Sequence, residues 1–322
     1  MITMFKKIYW EINKKYYSLQ KSTHELKSIS LEITGMCNLH CKHCYMNSKQ
    51  QSSDDLTTEE WKIFIDQVYK YFGNKINLGI TGGEPLIRSD LLEILEHMKK
   101  LGFNVNLTTN GVLLDERIVK HLKKNIFGLS ISLDGLVDSH NYLRQSDVFT
   151  KTTENIKLCK KNNIKYLIVK TAIYKNNLNE LKDLYEIIKN IGVDEWHLFA
   201  VEPLGRAKLN KNEILSPIEY GLLCEFVDKL KNDKMNIIKI RFGEEGSNFM
   251  YSKSCDYCKF KLCNAGISSC VILYNGDIVN CMQSNRDDVQ GNVKTDDFKK
   301  IWDTKFIKNR EKNYTSCNKH YF

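Results

Sequence analysis

The feature that most constrains this chain is a regular alternation of short apolar runs with amphipathic helical stretches. Runs that read as strands lie at Ile29 to Thr34, Ile76 to Thr81, Phe103 to Thr109, Phe127 to Leu133, Lys165 to Ala172 and Glu195 to Val201. Helical periodicity falls between them near Thr57 to Phe72, Asp90 to Leu101, Asp115 to Lys124, Thr150 to Asn162 and Leu178 to Ile191, with a further helix from Pro217 to Lys231. Strands alternating with helices pair in parallel through right-handed crossovers. Six such units predict an α/β fold, either an open doubly wound sheet or a curved partial barrel.

After about Asp233 the rhythm is expected to stop and a Cys-rich tail to begin. There Asn275-Gly276 sits between the apolar runs Val271 to Leu273 and Ile278 to Val279, the mark of a tight hairpin whose turn needs positive φ angles. A helix is expected over Asp297 to Lys312. The predicted organisation is an N-terminal, helical extension over residues 1–28, a barrel over 29–233 and a small Cys-rich domain of hairpin and helix over 234–322. With 42% hydrophobic and 27% charged residues and only 3 Pro, the 322 residues have the profile of a folded, soluble chain able to bury a substantial core. The net charge of +9 comes from Lys spread over many helices, such as Lys99, Lys100, Lys123 and Lys124, which reads as a solvated face and not a nucleic-acid surface. No stretch reaches 18 consecutive apolar residues, and Met1 to Gln20 lacks an apolar signal core, so a cytoplasmic, non-membrane protein is expected. Eleven Cys in such a chain point to metal or redox chemistry and not to disulfides.

Three of those cysteines, Cys37, Cys41 and Cys44, follow the first strand within eight residues. Thiolates so close in sequence wrap one cluster only if the backbone makes a tight loop, and the end of a parallel strand is where such loops sit. A four-iron cubane with three Cys ligands keeps one iron open, able to chelate the amino and carboxylate groups of another molecule. The alternative is a zinc site with His40 or His43 as fourth ligand; otherwise these histidines cap or line the loop.

Cys37-x3-Cys41-x2-Cys44, followed by Tyr45, resembles the signature of the radical S-adenosylmethionine (SAM) superfamily. The resemblance implies a partial (β/α)6 TIM-like barrel, a [4Fe–4S] cluster on these three Cys, and SAM bound at the fourth iron. SAM is then cleaved reductively to methionine and a 5′-deoxyadenosyl radical that abstracts hydrogen from a substrate. Gly82-Gly83-Glu84-Pro85 closes the second strand, where two glycines let the backbone approach a ligand and Glu84 can accept from an ammonium group; it is similar to the family's GGEP motif at the amino end of SAM. Ser132 and Arg144, with His140 between, resemble the family's SLDG…H…R pattern, which implies contacts to the SAM carboxylate or ribose. Arg144 in a surface salt bridge is the alternative. Asn110 either lines the same cavity or makes the turn after the third strand. Glu202 and Arg206 are substrate-side candidates at the barrel mouth.

The tail holds Cys255, Cys258, Cys263, Cys270, Cys281 and Cys317, with Cys263 and Cys281 bracketing the Asn-Gly hairpin. This resembles the opening of the SPASM or shortened twitch extension, which implies at least one auxiliary [4Fe–4S] cluster. Cys258, Cys263, Cys281 and Cys317 are its expected ligands, and Cys255, Cys270 and His320 the alternates. The pattern departs from full SPASM in keeping only Cys317-x2-His320 at the end. Cys159 and Cys224 fall in helices and read as core, although Cys224 becomes a catalytic hydrogen-atom donor if it faces the barrel. The resemblance favours a ribosomally made peptide with a leader region as substrate, modified by crosslinking, thioether formation or epimerisation. The alternatives are sulfatase maturation, haem or quinone cofactor and sugar-alcohol oxidation, or a non-catalytic zinc-binding adaptor. A flavodoxin or ferredoxin is the implied electron donor.

Overall fold

In a computed structural model of the chain the described residues are 11–12, 15–16, 18–46, 48, 54–243, 263–283 and 286–311. Seven parallel strands make the frame: β1 (Ser28–Glu32), β2 (Asn77–Thr81), β3 (Asn104–Thr109), β4 (Gly128–Ser132), β5 (Leu167–Ile173), β6 (Glu195–Ala200) and β7 (Lys239–Phe242). They stand side by side in chain order. The helices between them are α1 (Thr58–Phe72), α2 (Leu91–Lys100), α3 (Glu116–Asn125), α4 (Val137–Arg144), α5 (Phe149–Lys161), α6 (Leu181–Ile191) and α7 (Pro217–Asn232). This is the partial-barrel α/β architecture expected. Residues 18–23 are helical.

Helix starts follow local chemistry. Thr57 accepts from the Glu60 amide while Glu60 accepts from the Thr57 amide, and Ser216 with Glu219 repeats this box just before Pro217. Each box contributes about 1 kcal/mol. Strand alternation then divides the sheet. Leu31, Ile80, Leu107, Ile131, Val169 and Leu198 point into one continuous core shared with the helices, each contributing about 1.5–3 kcal/mol by leaving water. The intervening side chains, among them Ser30, Glu32, Asn106, Ser130 and Lys170, are polar and form the opposite, concave face.

Three expectations are corrected. The strand–helix rhythm does not stop at Asp233, because β7 pairs in parallel with β6 from Glu195 beside Lys239 to Leu198 beside Phe242. Four residues with exposed Lys239 and Arg241 are too short and too charged to declare a strand by pattern. The hairpin forms as expected between β8 (Ser269–Ile272) and β9 (Asp277–Val279), but only Gly276 takes a positive φ, +93°. Its amide donates to the Leu273 carbonyl at 2.9 Å, and Leu273 takes the Asp277 carbonyl at 2.8 Å, so this is a three-residue loop closed by a glycine bulge. The last helix is two, α8 (Phe298–Thr304) and α9 (Ile307–Glu311); Arg310 ends the first by donating to the carbonyls of Trp302 and Asp303.

The tail does not stand apart. β8 pairs in parallel with β1, Ser28 beside Ser269, and β9 with β10 (Gly291–Asn292) completes one ten-stranded sheet in the order β10-β9-β8-β1-β2-β3-β4-β5-β6-β7. No helix among the described residues is long and apolar enough to cross a membrane.

Candidate active site

The loop after β1 is fixed before its cysteines are reached. Thr34 donates to Asp55, the Gly35 amide donates to the same carboxylate at 3.0 Å, and the Met36 amide turns back to the Thr34 hydroxyl at 3.1 Å. Cys37, Cys41 and Cys44 then pack into one small cluster with Leu39, Val112 and Val148. Burial pushes the Cys37 thiol up to about 11, and the neighbouring Cys41 and Cys44 add to the rise. Burial raises the Cys41 thiol too, against the pull of Arg144. Desolvated sulfurs such as those of Cys37 and Cys41 ionise side by side only beside a cation, which is what an iron cluster supplies. Among the described residues no trio of His, Cys, Asp or Glu is placed to hold a single metal ion. A cubane asks for another arrangement, one thiolate to each of three irons, and the donor set of this loop fits it.

The glycine pair after β2 serves the neighbouring loop. The Gly83 amide donates to the Thr34 carbonyl at 2.8 Å and the Glu84 amide to the Met36 carbonyl at 2.7 Å. A Cβ on Gly83 would lie 1.8 Å from the Met36 oxygen, so only glycine lets the two loops meet. Glu84, expected to offer its carboxylate to an ammonium group, is buried and accepts from the Thr109 hydroxyl at 2.6 Å and from the amides of Asn110 (2.8 Å) and Leu86 (3.1 Å). Burial raises its pKa in spite of these donors. Pro85 begins the short turn that follows. Asn110 makes its own turn, accepting from the Val112 amide, and also reaches the cysteine loop by donating to Asn38 at 2.8 Å.

Arg144 is neither at the surface nor open to a ligand on every side. It is buried at the end of α4, and its Nε donates to Asp134 at 2.6 Å. One terminal nitrogen lies 3.8 Å from the Cys41 sulfur. Asp134 is held in turn by the Ala172 amide at 2.9 Å. Burial works to raise the Asp134 carboxyl, but Arg144 and the nearby histidines hold it below its ordinary value. His140 accepts from the Asp134 amide, and burial brings its imidazole down to about 4. His43, expected to line the loop, is likewise lowered to about 4 by burial and by Arg144; His40 is exposed. Ser132 ends β4 on the concave face, beside Lys170 of β5.

Arg206 is corrected from substrate-side candidate to loop clamp. Its amide donates to the Cys44 carbonyl at 3.0 Å, and its guanidinium to the carbonyls of Cys41 (2.8 Å) and Ser48 (3.2 Å). Glu202 is buried nearby in the chain. Cys224 does not face the barrel: it lies on the core stripe of α7 with Tyr220, Leu223 and Val227, across the sheet from the concave face. Cys159 is core, as expected.

Of the second cysteine group, Cys263 and Cys281 are partly exposed at either end of the hairpin region. Cys270 is corrected: it points from β8 into the apolar core, where burial pushes its thiol far up. Cys255, Cys258, Cys317 and His320 lie outside the described residues. Sequence reasoning missed what joins this tail to the cysteine loop. Arg286 makes a two-pronged pair with buried Glu32 of β1, at 2.6 and 2.8 Å, and stands 5.9 Å from the Tyr45 ring. Burial raises the Glu32 carboxyl even so. The Tyr45 hydroxyl meets the Met282 sulfur at 3.5 Å, so the residue after Cys44 touches the residue after Cys281. The aromatic after the third Cys was the only local signal for this junction.

The family model described as the radical SAM superfamily matches residues 31–188, and that of SPASM, an iron-sulfur cluster-binding domain, matches 263–319. The chain is 30% identical over 297 residues to an AdoMet-dependent heme synthase of Methanosarcina barkeri, spanning 87% of this chain and 83% of that protein. Its fold resembles that of Streptococcus suis SuiB bound to precursor peptide SuiA, at a TM-score of 0.74 and 16% identity, over 94% of this chain and 71% of SuiB. It also resembles anSMEcpe with bound AdoMet, at a TM-score of 0.71 and 22% identity, over 88% and 82% of the two chains. The matched regions carry with them a SAM-binding [4Fe–4S] cluster, SAM and auxiliary iron–sulfur centres. On the two family matches and the heme-synthase relative, the chain belongs to the radical SAM superfamily as an enzyme with a SPASM domain.

Proposed function

We propose that this enzyme oxidises a carboxylate-bearing tetrapyrrole on the path to haem. The observation that carries the substrate class is the 30% identity to a heme synthase along most of both chains; likeness to SuiB and anSMEcpe at 16% and 22% speaks for the fold alone. A concave wall with Lys170, His197 and Arg241 in adjacent register suits an anionic substrate.

In this reading Cys37, Cys41 and Cys44 hold the SAM cluster. Gly82, Gly83, Glu84 and Pro85 form the wall at the amino end of SAM, and Ser132 and Asn110 border its cavity. When bound, the cluster supplies the electron that splits the sulfur–C5′ bond of SAM, giving the carbon radical that takes hydrogen from the substrate. Arg144 steadies the Cys41 thiolate, and Arg206 keeps the loop closed around the sulfurs. Cys263 and Cys281, with Cys258 and Cys317, are the proposed auxiliary ligands, and a reduced flavodoxin or ferredoxin the proposed electron source.

The second reading, a leader-bearing peptide substrate, is supported by the fold shared with SuiB in its complex with SuiA. Anaerobic incubation with SAM, reductant and an iron-loaded, carboxylated tetrapyrrole separates the two. Haem formation with 5′-deoxyadenosine release is the expected result. Release of 5′-deoxyadenosine with the tetrapyrrole unchanged and a co-encoded peptide altered in mass would move the assignment to the peptide. A Cys37→Ala variant that still cleaves SAM at the wild-type rate would remove both.

A further inference from the structure

The arginines around the cysteine loop are already engaged. Arg144 pairs with buried Asp134 and lies against the Cys41 sulfur. Arg206 binds loop carbonyls. Arg88 holds Asp90 and the carbonyls of Ile33 and Leu56, and Arg286 is matched to Glu32. None of them is a cation held in reserve for a ligand carboxylate.

The concave face offers another. Across β4, β5, β6 and β7 the register aligns Ser132, Lys170, His197 and Arg241 in one row. In the row toward the strand starts, Ser130, Ile168, Glu195 and Lys239, the charges balance, since Lys239 reaches Glu195 at 2.8 Å. Toward the strand ends, Asp134 balances Arg144. The Lys170 row has no carboxylate at its four register positions, and Lys170 stands in it between Ser132 and His197. Lys170 itself is partly buried, and its Nζ lies back across β4 to the neutral Thr108 hydroxyl at 3.4 Å. Among the described residues no carboxylate stands within salt-bridge distance of it. An ammonium half-removed from water beside neutral hydroxyls, next to the end of β4, is an electrostatic well for an anionic oxygen.

We propose that Lys170, with Ser132 beside it, seats a ligand carboxylate on the concave face, in the place expected of Arg144. The carboxylate comes from SAM or from the substrate; the seat rests on reading this face as their shared cavity, and the SAM arm of the test does not depend on the tetrapyrrole assignment.

The experiment is equilibrium binding to the anaerobically reconstituted enzyme, wild type against Lys170→Met and Lys170→Gln, with iron content and circular dichroism confirming that each variant folds. SAM and decarboxylated SAM are the first pair of probes; haem and its dimethyl ester, which lacks the free carboxylates, are the second. A charge-assisted bond predicts that the wild type prefers the free carboxylate by about ten- to a hundredfold in one pair. In that pair both variants lose about ten- to a hundredfold of the wild-type preference, any share that iron chelation of the SAM carboxylate supplies remaining, and Lys170→Arg keeps most of it. Loss in the first pair places the SAM carboxylate at Lys170; loss in the second with the first intact places the substrate's. If both variants keep the wild-type preference in both pairs, the seat is not at Lys170.

Discussion

Arg206 reaches the cysteine loop at three points, so its removal is expected to act on metal retention as well as on folding. Arg206→Met strands the Cys41 and Ser48 carbonyls, a loss of about 2–3 kcal/mol. Thermal unfolding of the apo chain is expected to shift downward, and reconstituted protein to hold fewer irons. Gly83→Ala acts more sharply: its methyl would meet the Met36 oxygen at 1.8 Å, so the β2 turn is forced away from the cysteine loop. Iron at the SAM cluster, counted in a variant whose auxiliary cysteines are replaced, is expected to fall to a small fraction of wild type. The cysteine triplet and the glycine pair were legible because their chemistry is local in sequence. The tasks of Arg144 and Arg206 were not, because an arginine's partner is chosen by the fold: Asp134 lies 10 positions before Arg144, while the Cys41 carbonyl lies 165 positions before Arg206.

The junction of β6 with β7 is held partly by charge. Burial works to raise the Glu195 carboxyl, but bonds from Lys239 and Tyr166 outweigh it and hold the group below its ordinary value. A carboxyl lowered on folding stabilises fully above its unfolded pKa, about 4.3, and the contribution fades as pH falls through the lower, folded value. Glu195→Gln is expected to flatten the acid limb of melting temperature against pH and to cost about 1 kcal/mol at neutral pH, since Lys239 is largely exposed. In the tail, Cys270→Ser places a hydroxyl in the core and is expected to lower stability by about 1–3 kcal/mol while auxiliary iron stays bound; Cys281→Ser is expected to lose auxiliary iron with little change in the melt of the apo chain. Elements with long periodic patterns, β1 to β6 and most helices, were readable from sequence. The eight-residue α4 lacks a side-chain cap, β7 has only two apolar residues, and the break between α8 and α9 is set by Arg310 turning back on the chain. None of these leaves a periodic trace.

Over the whole molecule, tail and barrel meet through Glu32 and Arg286. Arg286→Met leaves a buried carboxylate without its guanidinium, which typically costs about 3–5 kcal/mol, and pairing it with Glu32→Gln is expected to recover part of the loss; an additive double mutant in chemical denaturation would show that the pair is not coupled. The sheet's order has a further result for biosynthesis. The strand that launches the cysteine loop has one neighbour close by in sequence, β2, and one far downstream, β8, and its acidic residue waits for a partner 254 positions downstream. On a ribosome, that flank stays bare until β8 and Arg286 have emerged, more than two hundred positions after the strand they cover.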